Sequence, residues 1–297
     1  MQIGLMATAW DDPRDCVRLA VMAEERGIES IWFGEHSHLP VGEDHAFVRQ
    51  MPEFYRRIPD PYVVLAAIAA RTRVIRLGTG IALPGQGDPL HLAKTVASLD
   101  VLCGGRFEWG VGYGWNETEL RDHGIDPRYR MSRFGEVLAA VRGLWTHDRF
   151  TFGGKHIQFA ECWSYPKPVQ APGPPILLGC RATARAFEQL VDHCDGWLPS
   201  IEQALDTADV SIAKLRSRFA EAGRDPASLQ LTFMDSRGFW LDVDTDTYKT
   251  KRRVKRATVE RVRDLGADRL IVGMPLFTVD TIEPMLDAVA ELIPAAA

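Results

Sequence analysis

The tightest constraint on this chain is its rhythm. Short runs of β-branched and aromatic residues alternate with amphipathic helical patterns from one end to the other, and no linker interrupts them. Asp-Pro pairs at Asp12-Pro13, Asp60-Pro61 and Asp88-Pro89 mark helix starts. Aspartate caps the free N–H groups of a first turn, and proline at the next position loses no helical hydrogen bond. Eight strands are expected, at 3–6, 30–34, 74–83, 106–111, 175–179, 196–199, 229–241 and 269–273. Helices are expected at 13–26 (with Gly27 as C-cap), 61–71, 89–102, 132–146, 182–193, 202–222, 249–265 and 280–292.

Two segments break the rhythm. Residues 35–60 form a long polar connection, and 147–168 read as an inserted hairpin around Gly153-Gly154. Eight βα units in one run predict an α/β fold, a (β/α)8 TIM barrel with insertions near 35–60 and 147–168, as a single domain over 1–297. The alternative is an open doubly wound sheet. The strand count and the lack of G-x-G-x-x-G after the first strand weigh against it.

Composition narrows the function. The formal charge of −5 argues against a general nucleic-acid binder. Cys16, Cys103, Cys162, Cys180 and Cys194 lie far apart without zinc spacing, so reduced thiols and no metal are expected. With no signal-peptide pattern and no apolar run of membrane-spanning length, the expected location is the cytoplasm, away from membranes.

In a barrel of this kind, chemistry sits at the C-terminal ends of the strands. Glu35 and His36 end the second, where an imidazole can exchange protons near neutral pH; a surface histidine opening a loop is the plainer alternative. Thr79, Gly80 and Ile81 end the third. A glycine inside a strand fits a bulge against a planar ligand, or simple packing relief. Gly110, Gly112 and Gly114 follow the fourth. Gly179, Cys180 and Arg181 end the fifth directly before a helix, where backbone amides and a guanidinium can meet a phosphate; a left-handed turn with a solvated arginine is the alternative. Several of the eight tryptophans fall near strand ends and fit either an aromatic wall for a flat heterocycle or ordinary core. The basic run 249–256 reads as a solvated helix face.

The string from Leu99-Asp100 through Cys103-Gly104-Gly105-Arg106-Phe107 into Gly110-Val111-Gly112-Tyr113-Gly114-Trp115-Asn116-Glu117 resembles the luciferase-like monooxygenase superfamily, most closely its deazaflavin branch. Gly34-Glu35-His36, Leu77-Gly78-Thr79-Gly80, Tyr165-Pro166-Lys167-Pro168-Val169-Gln170 and Asp195-Gly196-Trp197-Leu198-Pro199 match in order, covering about residues 1–200.

The resemblance implies a TIM-like barrel binding coenzyme F420, or alternatively reduced FMN, at the strand C-terminal ends. It implies an oxidoreductase moving hydride between the deazaflavin and a small organic substrate, with His36 and Glu35 at the reacting ring. Thr79, Gly80 and Ile81 would lie behind the ring at a non-prolyl cis peptide, with Gly112 and Trp115 beside it. Leu178, Gly179, Cys180 and Arg181 would form the phosphate turn. Three departures stand out: Glu35 replaces the usual aspartate, Cys180 a usual glycine, and Trp115 the catalytic glutamate of the branch's sugar-phosphate dehydrogenases, so that substrate class is not expected. The FMN alternative is a two-component monooxygenase with a flavin reductase as partner; a non-catalytic flavin or deazaflavin carrier is the other. A homodimer is common in the family. Arg49, Arg56 and Arg57 are expected to meet the acidic tail that F420 has and FMN lacks.

Overall fold

The computed structural model describes residues 1–7, 12–41, 56–235, 256–274 and 282–293. Ten strands form: β1 (Gln2–Ala7), β2 (Ser30–Phe33), β3 (Arg76–Thr79), β4 (Phe107–Val111), β5 (Arg149–Gly153), β6 (Gln158–Trp163), β7 (Ile176–Leu178), β8 (Gly196–Trp197), β9 (Gln230–Asp235) and β10 (Arg269–Gly273). Eight of them close a parallel barrel in the order β1-β2-β3-β4-β7-β8-β9-β10, with β10 pairing back onto β1, while β5 and β6 make the expected hairpin in the 147–168 insertion. The fold is the (β/α)8 barrel predicted from the rhythm.

The helices are α1 (Pro13–Glu25), α2 (Pro61–Ala69), α3 (Pro89–Leu102), α4 (Glu117–Asp122), α5 (Arg130–Thr146), α6 (Ala184–His193), α7 (Ile201–Ala204), α8 (Ala208–Glu221), α9 (Arg256–Asp264) and α10 (Glu283–Ala290). Asp12, Asp60 and Asp88 accept from the N–H groups of Arg14, Val63 and His91, so all three Asp-Pro pairs cap as expected. No helix among the described residues is long and apolar enough to cross a membrane. All five cysteines are free.

Three elements differ from expectation. The third strand ends at Thr79 rather than running to 83; the Gly80–Ile81 peptide is cis, and the chain rejoins the sheet at an Ala82–Val111 bridge. The helix expected at 202–222 is divided by a 3-10 turn at Leu205–Thr207. Helix α4 was not expected at all. The predicted strand residues 236–241 and helix residues 249–255 lie outside the described residues.

The lower half of the barrel is closed by ions. Arg269, at the start of β10, donates to both carboxylate oxygens of Glu108 (2.7 and 2.9 Å) and both of Glu29 (2.7 Å each), and Arg76 pairs with Glu108 as well. Burial alone would raise the Glu108 carboxyl, but Arg269 and Arg76 outweigh it and hold the group below its ordinary value. Above this layer the Trp32 indole donates to Ser30 Oγ at 2.8 Å, with the Arg269 guanidinium 5.2 Å from its ring centre. A Cβ on Gly78 would stand 2.2 Å from the indole, so glycine there is a volume requirement. Ionic floor and indole plug together leave the opposite end, where the strands terminate, as the usable mouth.

Much of the string that carries the family resemblance is scaffold. Asp100 is fully buried and accepts from the N–H groups of Val169 (2.9 Å) and Gln170 (3.0 Å) and from Gln170 Nε2 (2.7 Å). Gln170 Nε2 in turn reaches the Phe107 carbonyl. The two motifs are thus one joint between α3 and the segment leading into β7.

Candidate active site

Four adjacent strands deliver the expected residues to one mouth. Past β2, Glu35 N–H donates to the Ile81 carbonyl (3.2 Å); Gly80 N–H donates to Phe33 O (2.7 Å); Gly112 N–H donates to Ala82 O (2.9 Å); and Gly179 N–H donates to Val111 O (2.8 Å). These bonds tie the ends of β2, β3, β4 and β7 into a continuous rim. Cβ atoms on Gly112 and Gly179 would stand 2.3 and 3.0 Å from Ile81 Cδ1, so the absence of side chains at both positions lets Ile81 lie between them. Ile81 itself packs down onto the barrel interior of Met6, Trp32, Leu177, Leu198 and Ile271.

His36 is held by a partner that the sequence reading did not include. Its Nδ1 lies 2.8 Å from Glu119 Oε2, with side chains 6% and 0% exposed. The second oxygen of Glu119 accepts from Ser37 N–H at 3.2 Å, so one carboxylate fixes both the ring and the loop that carries it. Glu119 reaches this place on α4, whose N-cap Asn116 accepts from the N–H groups of Thr118 and Glu119. The Asn-x-x-Glu spacing after a glycine turn resembles a helix-start signature and was the available signal. The Trp115 ring meets His36 edge-on, 5.6 Å between centroids.

Glu35 takes a different environment. Its Oε2 accepts from Leu83 N–H at 2.6 Å. Burial, with smaller contributions from the nearby Asp60 and Glu119 charges, pushes its carboxyl up to about 7, although the Leu83 bond works the other way. An unfolded Glu35 ionises near 4.5, so its raised native value makes folding strongest below that pH and weaker as pH rises through 7. The Glu35→Gln protein is therefore expected to match the parent near pH 4 and to exceed it at pH 8. The gain is at most about 3 kcal/mol, and less where water reaches the carboxyl. Urea melts at both pH values check this; an equal effect at the two would contradict the buried acid.

The remaining predicted residues divide by what they expose. Thr79 is fully buried with its hydroxyl donating to Gly110 O at 2.8 Å, and the Leu178 side chain is buried in the wall, so only their backbones border the mouth. The Cys180 thiol is inert, since burial pushes it up to about 12, and its carbonyl accepts from Trp197 Nε1. Arg181 is exposed, its Nε donating to Gln203 Oε1 at 3.3 Å. Of the tryptophans, Trp32, Trp109 and Trp197 are core, Trp163 is 70% exposed on the hairpin, and Trp10 and Trp240 lie outside the described residues. Arg56 and Arg57 are at the surface; Arg49 is outside the described residues. The sequence shows no metal-ligand spacing, yet the fold brings His38, Glu119 and His123 together.

Three hydrogen-bond donors on the segments that follow β3 and β4, Gln86 Nε2, Tyr113 OH and Asn116 Nδ2, are buried without a partner among the described residues. Native proteins rarely leave such groups unpaired unless something else supplies the acceptors. A cleft of about 780 Å³ between α4 and the starts of α5 and α6 is lined by Arg121, Arg128, Arg130 and Arg185 with Glu117 and Asp126 among them, and by none of the rim residues. Titratable side chains and glycine backbone at the mouth of such a barrel fit an enzyme of the TIM-barrel class.

The chain matches the luciferase-like monooxygenase family model over residues 1–275 and belongs to that family. It is an oxidoreductase of the flavin- or deazaflavin-dependent kind. An uncharacterized protein of Mycobacterium tuberculosis (strain ATCC 25618 / H37Rv) is 37% identical over 230 residues, 76% of this chain and 80% of that one. The F420-dependent glucose-6-phosphate dehydrogenase of Amycolatopsis mediterranei (strain U-32) is 25% identical over 313 residues, 97% of this chain and 90% of that one. The solved structure of monooxygenase RslO1 from Streptomyces bottropensis superposes with a TM-score of 0.80 at 22% identity, covering 98% of both chains, and shows the shared fold.

Proposed function

We propose that this protein is a coenzyme F420-dependent oxidoreductase acting on a small organic substrate, with His36 handling the proton that accompanies hydride transfer. The observation that carries the reading is the buried His36–Glu119 pair at the rim beside Ile81. The rim suits such a cofactor. The unpartnered donors of Gln86, Tyr113 and Asn116 match a ligand rich in carbonyl and phosphate oxygens. Gly179 to Arg181, ahead of the Thr183-capped α6, supply backbone and a guanidinium for phosphate.

When bound, F420 supplies a carbon centre that accepts or donates hydride and reacts poorly with oxygen. The protein supplies the rest. Glu119 holds His36 Nδ1 as a donor, so the exchangeable position is Nε2. In oxidation of an alcohol, the C–H electron pair leaves as hydride, the C–O bond becomes a carbonyl, and His36 Nε2 takes the hydroxyl proton. The reverse direction returns that proton. The growing imidazolium charge is met by the Glu119 carboxylate.

Two facts favour F420 over FMN. The relative matching nearly the whole chain, described above, is F420-dependent. Arg185 of α6, in a cleft whose other arginines pair with Glu117 and Asp126, offers a cation to an acidic tail extending past the phosphate. FMNH2-dependent monooxygenases are also among the relatives, so FMN is the reading to beat.

Fluorescence-quenching titrations of the apoprotein with oxidised F420 and with FMN, at low and high salt, test the proposal. Tighter, salt-sensitive F420 binding is expected, with Arg185→Ala weakening F420 by up to about fivefold and leaving FMN unchanged. Preference for FMN would overturn it in favour of a two-component monooxygenase supplied by a reductase. Binding of neither would overturn the cofactor assignment itself.

A further inference from the structure

We propose that His38, His123 and Glu119 form a site for a divalent transition ion of the zinc class, and that the ion takes Glu119 in competition with His36. Three observations carry this. The donor atoms of the three side chains lie within 4.8 Å of one another. His38 Nδ1 and His123 Nε2 both contact the single hydroxyl of Ser37, at 2.8 and 2.7 Å, so the two ring nitrogens converge on one point. The far nitrogen of His38, Nε2, lies 3.0 Å from Asp122 Oδ2. A carboxylate behind an imidazole is the arrangement that orients a metal-binding histidine and keeps its inner nitrogen deprotonated.

The chemistry of the set selects the ion. Two imidazoles and one carboxylate suit zinc and its neighbours, whereas calcium and magnesium need more oxygen ligands. Zinc bonds of about 2.0–2.1 Å require donors closer together than 4.8 Å. The His38 and His123 side chains must therefore swing inward while the Ser37 hydroxyl turns away. Both histidines are exposed and can do so, whereas Glu119 is fully buried and fixed. An ion arriving from solvent thus meets two mobile imidazoles and one desolvated carboxylate. Glu119 lies in the first turn of α4 and His123 is its C-cap four residues on, so both fall on one helix face, and His38 comes from the loop after β2.

Glu119 also makes the 2.8 Å contact with His36 Nδ1. A carboxylate that ligates the ion holds His36 less well, so occupancy couples to the imidazole at the rim. Resting on the proposed role of His36 in proton transfer, the site is an inhibitory one, set by the supply of free zinc.

Zinc itself is the probe, titrated against a chromophoric chelator in the full chain, with cobalt as the spectroscopic substitute. One ion per chain is expected. His123→Ala and His38→Ala should each weaken binding at least about tenfold and abolish the visible cobalt bands, while circular dichroism remains that of the parent. Turnover of the parent should fall as zinc is added, and that of His123→Ala should resist it. Zinc binding as tight in both variants as in the parent would overturn the site, as would a parent that binds no zinc below millimolar concentration. Stoichiometric binding that leaves the His36 ring resonances unmoved would overturn the competition for Glu119.

Discussion

The His36→Ala protein is expected to lose about 10²- to 10⁴-fold in turnover while binding the cofactor about as well as the parent. The loss corresponds to removal of one positioned proton donor and acceptor. The retained binding follows from the proposed cofactor contacts along the Gly80–Ile81, Gly112 and Gly179 backbone, which His36 does not support. The assay is reduction or oxidation of the cofactor with whichever alcohol, aldehyde, imine or enone of a panel the parent turns over. Glu119→Gln tests the second half of the pair. The amide keeps the size of the carboxylate but has one acceptor oxygen for the two groups, His36 Nδ1 and Ser37 N–H, that Glu119 serves with separate oxygens, so the charge and one of the two contacts are lost. A smaller fall of about 10- to 100-fold is expected, with the alkaline or acid limb of the pH–rate profile displaced and KM little changed. A merely structural Glu119 would leave that profile in place. Full activity in His36→Ala would remove His36 from the catalytic role, whereas no turnover by the parent across the whole panel would leave the protein as a carrier of the cofactor.

The second large effect is on folding. Arg269→Met removes the only group among the described residues that bridges Glu29 and Glu108, and should cost about 3–5 kcal/mol, because it strands buried carboxylates. The pH dependence identifies the cause. In the parent, Glu108 is held below its unfolded value, so it contributes stability that is present above that value and lost as pH falls through the native one. Without Arg269 only Arg76 still offsets the burial of Glu108, so the carboxyl rises from its native value and ionising it costs more. The variant should therefore be closest to the parent near pH 4–5 and furthest from it at pH 8. Adding Glu108→Gln and Glu29→Gln to Arg269→Met should recover part of the loss, since an uncharged cluster leaves no stranded ion. Chemical denaturation across that range is the measurement, and a loss independent of pH would mean that packing against Trp32, rather than charge, is what Arg269 provides.

How far the site was legible depended on the kind of contact. Glu35, His36, Gly80, Gly112 and Gly179 were found because each ends a strand, and a barrel sends strand ends to one face. Glu119 was missed because its partner lies 83 residues away and because a six-residue helix carries too little periodicity to announce itself. Thr79 and Leu178 were placed correctly along the chain, but their side chains turn into the wall, a consequence of strand register that alternation alone does not reveal in a strand buried on both faces. The aromatic wall suggested by the tryptophans became mostly core, with Trp115 at the rim.

What the sequence determined by itself was local: the Asp-Pro helix starts, the alternation of elements, and hence a barrel with a working end. These depend on interactions within a few residues, which spacing records. The tertiary structure alone decided which charges meet. It set Arg269 against Glu29 and Glu108, Glu119 behind His36, and His38 beside His123. Each of those pairings depends on desolvation and on distances between segments far apart in the chain, and neither is written in the order of residues.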